Sequence, residues 1–187
     1  MLLFLLMGTY VVDADLAMQK KTEVKMLLEL ANHHATFAVD PVLKTEGVID
    51  LVEEEAMQRF DRRMSENGGY ARQQKTYVPG EQGVTNAPIH FVRHYVDFRN
   101  WRQDLHLLLQ YNGESLVPVS ATPGAVRQGG GQLLITVVTE RGDRLQMAPK
   151  TMIGPSHIMV AYVDEKPFLP ILPGHAFPVV SVEEVKF

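Results

Sequence analysis

The 187-residue chain has no cysteine and a single tryptophan. Without thiols it forms no disulfide, offers no thiolate nucleophile and holds no cysteine-ligated zinc or iron–sulfur group. It also lacks a basic block. Its 18 Lys and Arg are mixed among 22 Asp and Glu, for a net charge of −4, so no stretch is built to neutralise a phosphate backbone and nucleic acid is not expected as a partner. The phosphate-cradling spacings G-x-G-x-x-G and G-x-x-x-x-G-K-[ST] are missing, as are the nucleophile elbow G-x-S-x-G and the zinc-binding H-E-x-x-H. The triple glycine at 129–131 is followed by Gln132 and a strand-like run, where a phosphate loop would lead into a helix. No apolar run reaches the roughly 20 residues that cross a bilayer as a helix.

What the chain has is an unusually apolar beginning. Met1–Val12 reads MLLFLLMGTYVV and is bounded by Asp13 and Asp15. No basic n-region precedes it and no small-x-small cleavage site follows, so it does not read as a removable secretory signal. The apolar pattern then continues at helical spacing through Ala17, Val24, Leu27, Leu28, Ala31, Ala35 and Ala38, with no proline before Pro41. Alanine, leucine, methionine, lysine, glutamine and glutamate are good helix formers. This spacing predicts one helix from Met1 to about Ala38, a rod of roughly 55 Å. Such a rod is apolar all round at one end and on one side afterwards, which suits a helix that meets two environments.

A second helix is expected over about 50–67. Asp50 is an N-cap type with Glu53 three residues on, as in a capping box. Glu53, Glu54 and Glu55 complement the positive end of the helix dipole, and Gly68-Gly69 ends the helix. From Tyr70, and as regular strands from about residue 77, the chain turns to β-branched and aromatic runs broken by Gly, Pro and Asn. About six strands are expected: Ile89–Phe98, Leu105–Tyr111, Leu133–Thr139, Arg144–Ala148, His157–Val163 and Val179–Phe187. Asn112-Gly113 and Arg141-Gly142-Asp143 read as hairpin turns, and Gly124–Gly131 as a flexible loop. Helices first and strands later, without βαβ alternation, give an α+β fold: a long N-terminal helix, a short second helix, then a strand-rich, mainly antiparallel head. The corresponding division is 1–38 for the helix and 39–187 for the head.

Catalytic chemistry finds little support in this pattern. His90 and His94 have the spacing that brings imidazoles together on a helix, but in a strand four residues span roughly 13 Å. His33 and His34 are adjacent on the first helix and point in different directions. His94, Asp97 and Asp104 form an imaginable acid–base set with Ser115 or Ser120, though nothing in the sequence brings them together. Trp101, Tyr95, Phe98 and Tyr111 read as core before they read as a binding platform. The expectation is a protein that is not an enzyme, with no catalytic or metal residues and no cofactor.

The residues MLLFLLMGTYVV followed by DADLAMQKKTEVKMLLELANHHATFAVDP, with the acidic helix Asp50–Asn67 and the strand-rich remainder, resemble a type IV pilin-like subunit, nearest to the Tad-type pilin-like proteins of Gram-positive bacteria. The fifth position, usually glutamate in mature type IV pilins, is Leu5 here. The resemblance implies an extracellular, cell-surface structural protein. Its precursor inserts transiently in the membrane, is trimmed by a prepilin peptidase and is assembled by pilus machinery with copies of itself into a helical filament. It assigns assembly to the apolar helix, through Leu2, Leu3, Phe4, Leu5, Leu6, Tyr10, Val11, Val12 and Leu16. The alternative is a single-pass membrane-anchored extracytoplasmic binding or sensor domain, in which the helix only tethers the head. The lack of ligand spacings carries a prediction: elemental analysis of the washed, purified protein will find no metal at one equivalent per chain.

Overall fold

The computed structural model describes residues 1–167 and 174–185, with the side chains of Leu2, Leu3, Leu5 and Leu6 outside the described set. Three helices come first, α1 (Leu2–Ala35), α2 (Pro41–Thr45) and α3 (Glu53–Gly68). Ten strands follow: β1 (Tyr70–Gln73), β2 (Thr76–Pro79), β3 (Ile89–Val96), β4 (Gln103–Tyr111), β5 (Leu116–Val126), β6 (Gln132–Val138), β7 (Arg144–Gln146), β8 (Lys150–Thr151), β9 (Ser156–Glu165) and β10 (His175–Glu184). The chain is therefore α+β. The expected strand Val179–Phe187 is the second half of β10, with Lys186 and Phe187 outside the described residues.

The first sheet runs β1-β2-β3-β9-β10 and the second β5-β4-β6-β7, with β8 beside β6. All pairings are antiparallel except β4 with β6. The helices pack on one face of the first sheet and the second sheet on the other. Strand β9 lies in both interiors because side chains alternate along a strand. Met159, Ala161 and Val163 join the helix-side core with Leu28, Phe60 and Tyr77. Ile158, Val160 and Tyr162 join the sheet-side core with Leu109, Leu116 and Leu133.

Helix α1 is continuous through Gly8 and ends three residues before the expected Ala38. Its stripe Val24, Leu27, Leu28, Ala31 and Ala35 is buried against the sheet and α3. Close approach needs small partners, and a Cβ on Gly68 of α3 would lie 2.3 Å from Leu27. The second half of α1 is thus part of the head's core rather than an appendage to it.

Several local expectations are corrected. The N-cap of α3 is Val52, not Asp50. The Asp50 carboxylate instead accepts from Leu51 N at 2.9 Å and from the Tyr95 hydroxyl at 2.5 Å, tying the helix approach to β3. Helix α2 was not expected, although its signal is plain: Asp40 accepts from Val42 N and Leu43 N, and Pro41 occupies the first helical position, where a missing N–H costs nothing. Strand β5 was not expected either. It is an edge strand, exposed along most of its length, and its Pro118 and Pro123 are tolerated there because an edge has unpaired N–H positions.

The segment expected as a flexible loop is a tight crossing. Residues 124–126 belong to β5, and 127–131 carry the chain beneath the start of β4 to the far side of that strand, which is how β6 comes to lie parallel to β4. Arg127 N donates to Arg102 O at 2.8 Å and Gly131 N to Trp101 O at 3.0 Å. Added Cβ atoms would lie 1.8 Å from Met152 O at Gly130 and 2.0 Å from Gln103 O at Gly131, so only glycine passes here. Gly131→Ala should therefore lower stability by about 2 kcal/mol or more, whereas Gly129→Ala, with nothing within 4 Å, should change it little. Urea unfolding of the two variants reads the difference.

Candidate assembly surface

Helix α1 runs alongside β10 in the same direction, held by polar contacts at intervals. Asp13 meets His175, the first residue of β10, with Oδ2 2.6 Å from Nε2. Lys20 pairs with Glu165, which also accepts from Asn86 N and Ala87 N at 3.2 Å each. Asn32 reaches Ser181, and His33 lies 3.5 Å from Glu183. The residues before Asp13 run past the first residue of β10 and lose its cover. Twelve residues of helix make about 18 Å.

The apolar residues of this segment that the sequence singled out are largely exposed. Phe4 is 77% exposed, Tyr10 50%, Val11 64%, Val12 58% and Leu16 40%. Leu2, Leu3, Leu5 and Leu6 lie on the same stretch of helix, their side chains outside the described residues. Met7 and Met18, off the stripe and not singled out, are also exposed. A run of exposed apolar side chains of this kind marks a place of contact with something else. Among the described residues no helix is long and apolar enough to cross a membrane. The apolar stretch of about 18 Å falls short of the roughly 30 Å of a bilayer's hydrocarbon core.

Other candidate residues resolve into structural roles. His94, Asp97 and Asp104 do line one cleft of about 630 Å³ between β3, the start of α3 and the β4–β5 pair. Each carboxylate there is already engaged. Asp104 takes a two-pronged bond from Arg127, 2.6 Å from Nε and 2.8 Å from Nη2, and accepts from Gln132 N at 2.7 Å. These bonds, the Arg127 one first, hold its carboxyl below the usual range. They staple the glycine crossing to β4. Asp97 closes the turn that follows β3, accepting from Arg99 N and Asn100 N. Neither Ser115 nor Ser120 lines the cleft. His90 is buried against Tyr111, and Tyr111 stacks on Tyr162 with ring centres 4.4 Å apart. Trp101 packs on the sheet-side core, while Phe98 is exposed. Among the described residues no group of three or more His, Asp or Glu is placed to hold a metal ion.

One buried polar cluster was not legible in the sequence. Asn32 donates both amide hydrogens, to His157 O at 3.0 Å and Ser181 Oγ at 2.9 Å. Its Oδ1, 2.6 Å from His157 Nδ1, must then accept, so a proton sits on His157 Nδ1. Its Nε2 is buried and meets no partner among the described residues. Burial first, and the Arg93 guanidinium second, push His157 down to about 4. The cluster joins α1 to β9 and β10 in the middle of the helix-side core, where one missed hydrogen bond is costly.

Comparison with known protein families, curated proteins and solved structures returns no match.

The His157 arrangement sets a pH dependence. The folded state takes up a proton at about 4, the unfolded chain near 6.5. Stability from the neutral imidazole is therefore fully present above about 6.5 and is lost as pH falls towards 4, by up to about 3 kcal/mol. Denaturant unfolding between those pH values should show this decline, and His157→Gln, which does not titrate, should show a shallower one, with His34, His90 and His94, also lowered chiefly by burial, supplying the remainder.

Proposed function

We propose that the chain is a structural subunit that assembles with copies of itself into an extracellular, type IV-like filament, through the apolar first turns of α1. The observation that carries this reading is the exposure of Phe4, Met7, Tyr10, Val11 and Val12 on a helix whose remaining length is fixed into a folded head. Burying a Leu, Phe or Val side chain contributes roughly 1.5–3 kcal/mol, so such a cluster supplies on the order of 10 kcal/mol to association before ordering costs are subtracted. Contacts between the first turns of neighbouring copies, offset so that different faces of the helix meet, are heterologous, and where the rotation between copies does not close a ring they propagate as a helical polymer. In this reading the head needs no cofactor and does no chemistry. The resemblance to pilin-like subunits adds a membrane-inserted precursor, a prepilin peptidase and an assembly machinery as partners.

The second reading is a membrane-tethered binding or sensor domain; among the described residues no helix is long and apolar enough to cross a membrane, which bears on a tether and on a membrane-inserted precursor alike. Phe4→Asp with Val11→Asp places two charges in the exposed cluster, outside the head's core. Negative-stain electron microscopy should find filaments from the unaltered protein and none from this variant, with the β-rich circular dichroism of both the same. Filaments from the doubly charged variant would remove the segment from the assembly contact.

A further inference from the structure

The two sheets and α1 meet along β10, and they leave a slot of about 220 Å³ that no reading above uses. Its floor is apolar and comes from both sheets: Leu133 and Ile135 of β6, and Val179 and Val180 of β10. These four side chains are themselves buried, so the floor is fixed by the sheet-side and helix-side cores. The rim is cationic. Lys21 and Lys25 stand one helical turn apart on α1, and Lys150 stands opposite them on β8. Among the described residues no carboxylate lines the slot. Among the described residues the one ion pair made by any of the three is that of Lys25 with Glu29, 3.8 Å away on the same helix.

In a chain of net charge −4, three ammonium groups around an apolar slot, without an acid among the lining residues, make a local potential opposite to that of the whole. A slot of this kind favours an occupant with an apolar body and an anionic head: the body fills the slot between its apolar walls and the lysine stems, and the head sits among the lysines at the rim. Two other occupants fit less well. An added β-strand would need the edge of β10, where Pro178 has no N–H to give. The apolar segment of a second copy, Met1–Val12, contains no Asp or Glu and would leave all three lysines unmatched.

We infer that the slot between α1, β6 and β10 is a binding site for a single-chain anionic amphiphile, an alkyl chain ending in a carboxylate or phosphate, with Lys21, Lys25 and Lys150 as its head-group contacts. The alkyl chain lies over Leu133, Ile135 and Val180, and the slot's size limits it to a short or medium chain. This site is separate from the assembly segment, and its occupancy does not depend on the filament reading.

The probe is dansylated undecanoic acid, titrated into the full-length protein below the concentration at which it forms micelles. The expected result is a fluorescence rise that saturates at one probe per chain. Dodecanoate and dodecyl phosphate should displace it, whereas dodecanol and dodecyltrimethylammonium should not. Lys21→Glu with Lys150→Glu should weaken binding by about tenfold or more, since each pair lost to the head group is an ionic contact at an apolar wall. Ala148→Trp, at the exposed rim, should block the slot with the circular dichroism unchanged, and Phe4→Asp with Val11→Asp should bind as the unaltered protein does. Retained affinity in both the charge-reversed and the Ala148→Trp proteins would overturn the proposal, as would equal competition by dodecanol. Displacement by a Met1–Val12 peptide but not by dodecanoate would reassign the slot to a second copy of the chain. A carboxylate that competes where the phosphate does not, or the reverse, identifies which head group the site takes.

Discussion

Strand β9 is the element on which the rest of the molecule depends. Its residues 158–163 alternate between two interiors, so one strand is the shared wall of the helix-side core and the sheet-side core. A polar residue at any of these positions would be buried without a partner, at a cost of one to several kcal/mol. His157, at the strand's start, is the exception, and it is held by a hydrogen-bonded cluster. Pairing β9 with β3 and β10 over long antiparallel registers then fixes where α1 lies, because α1 follows β10. The direction of α1, and with it the exposure of its first turns, is set by the strand that seats it.

That geometry separates two roles along one helix. From Asp13 onward α1 belongs to the head, through an apolar stripe and a series of polar contacts with β9 and β10. Before Asp13 no described strand lies beneath it, and Phe4, Met7, Tyr10, Val11 and Val12 are exposed. A helix whose sequence becomes apolar all round where its cover ends is costly in water unless another apolar surface meets it. The filament reading supplies that surface from further copies. The slot beside β10 follows from the same seating of α1: Lys21 and Lys25 stand on the flank of the helix that faces the second sheet.

The sequence was informative where periodicity and burial coincide. The apolar run His157–Val163 identified β9, alternation identified β4, and the stripe from Val24 to Ala35 identified the seated half of α1. It was uninformative where a residue's type and its surroundings diverge. Strand β5, with Ser120, Thr122, Pro123 and Gly124, has the composition of a loop and is a strand because it lies at an edge and pairs with β4. Gly129–Gly131 has the composition of a flexible linker and is a tight crossing, since the requirement for glycine at Gly130 and Gly131 comes from Met152 and Gln103, remote in sequence. Asp104 looked like an acid–base candidate, and Arg127 makes it a staple. The Asn32–His157–Ser181 cluster joins residues up to 149 positions apart, and no local pattern announces it. The exposure of Phe4, Tyr10, Val11 and Val12 accords with the crowding of apolar residues before Asp13, because a helical face can bury only part of such a run.

In the proposed filament, copies meet through the first turns of α1 and not through the head. The absence of cysteine makes a direct measurement possible, because one introduced thiol is the only one in the chain. Val11→Cys places it on the exposed segment, and Glu114→Cys places it in the exposed turn between β4 and β5. After brief treatment of assembled protein with a short bifunctional maleimide, the account predicts covalently linked copies from Val11→Cys and unlinked chains from Glu114→Cys. Linked copies from Glu114→Cys together with unlinked Val11→Cys chains would contradict it.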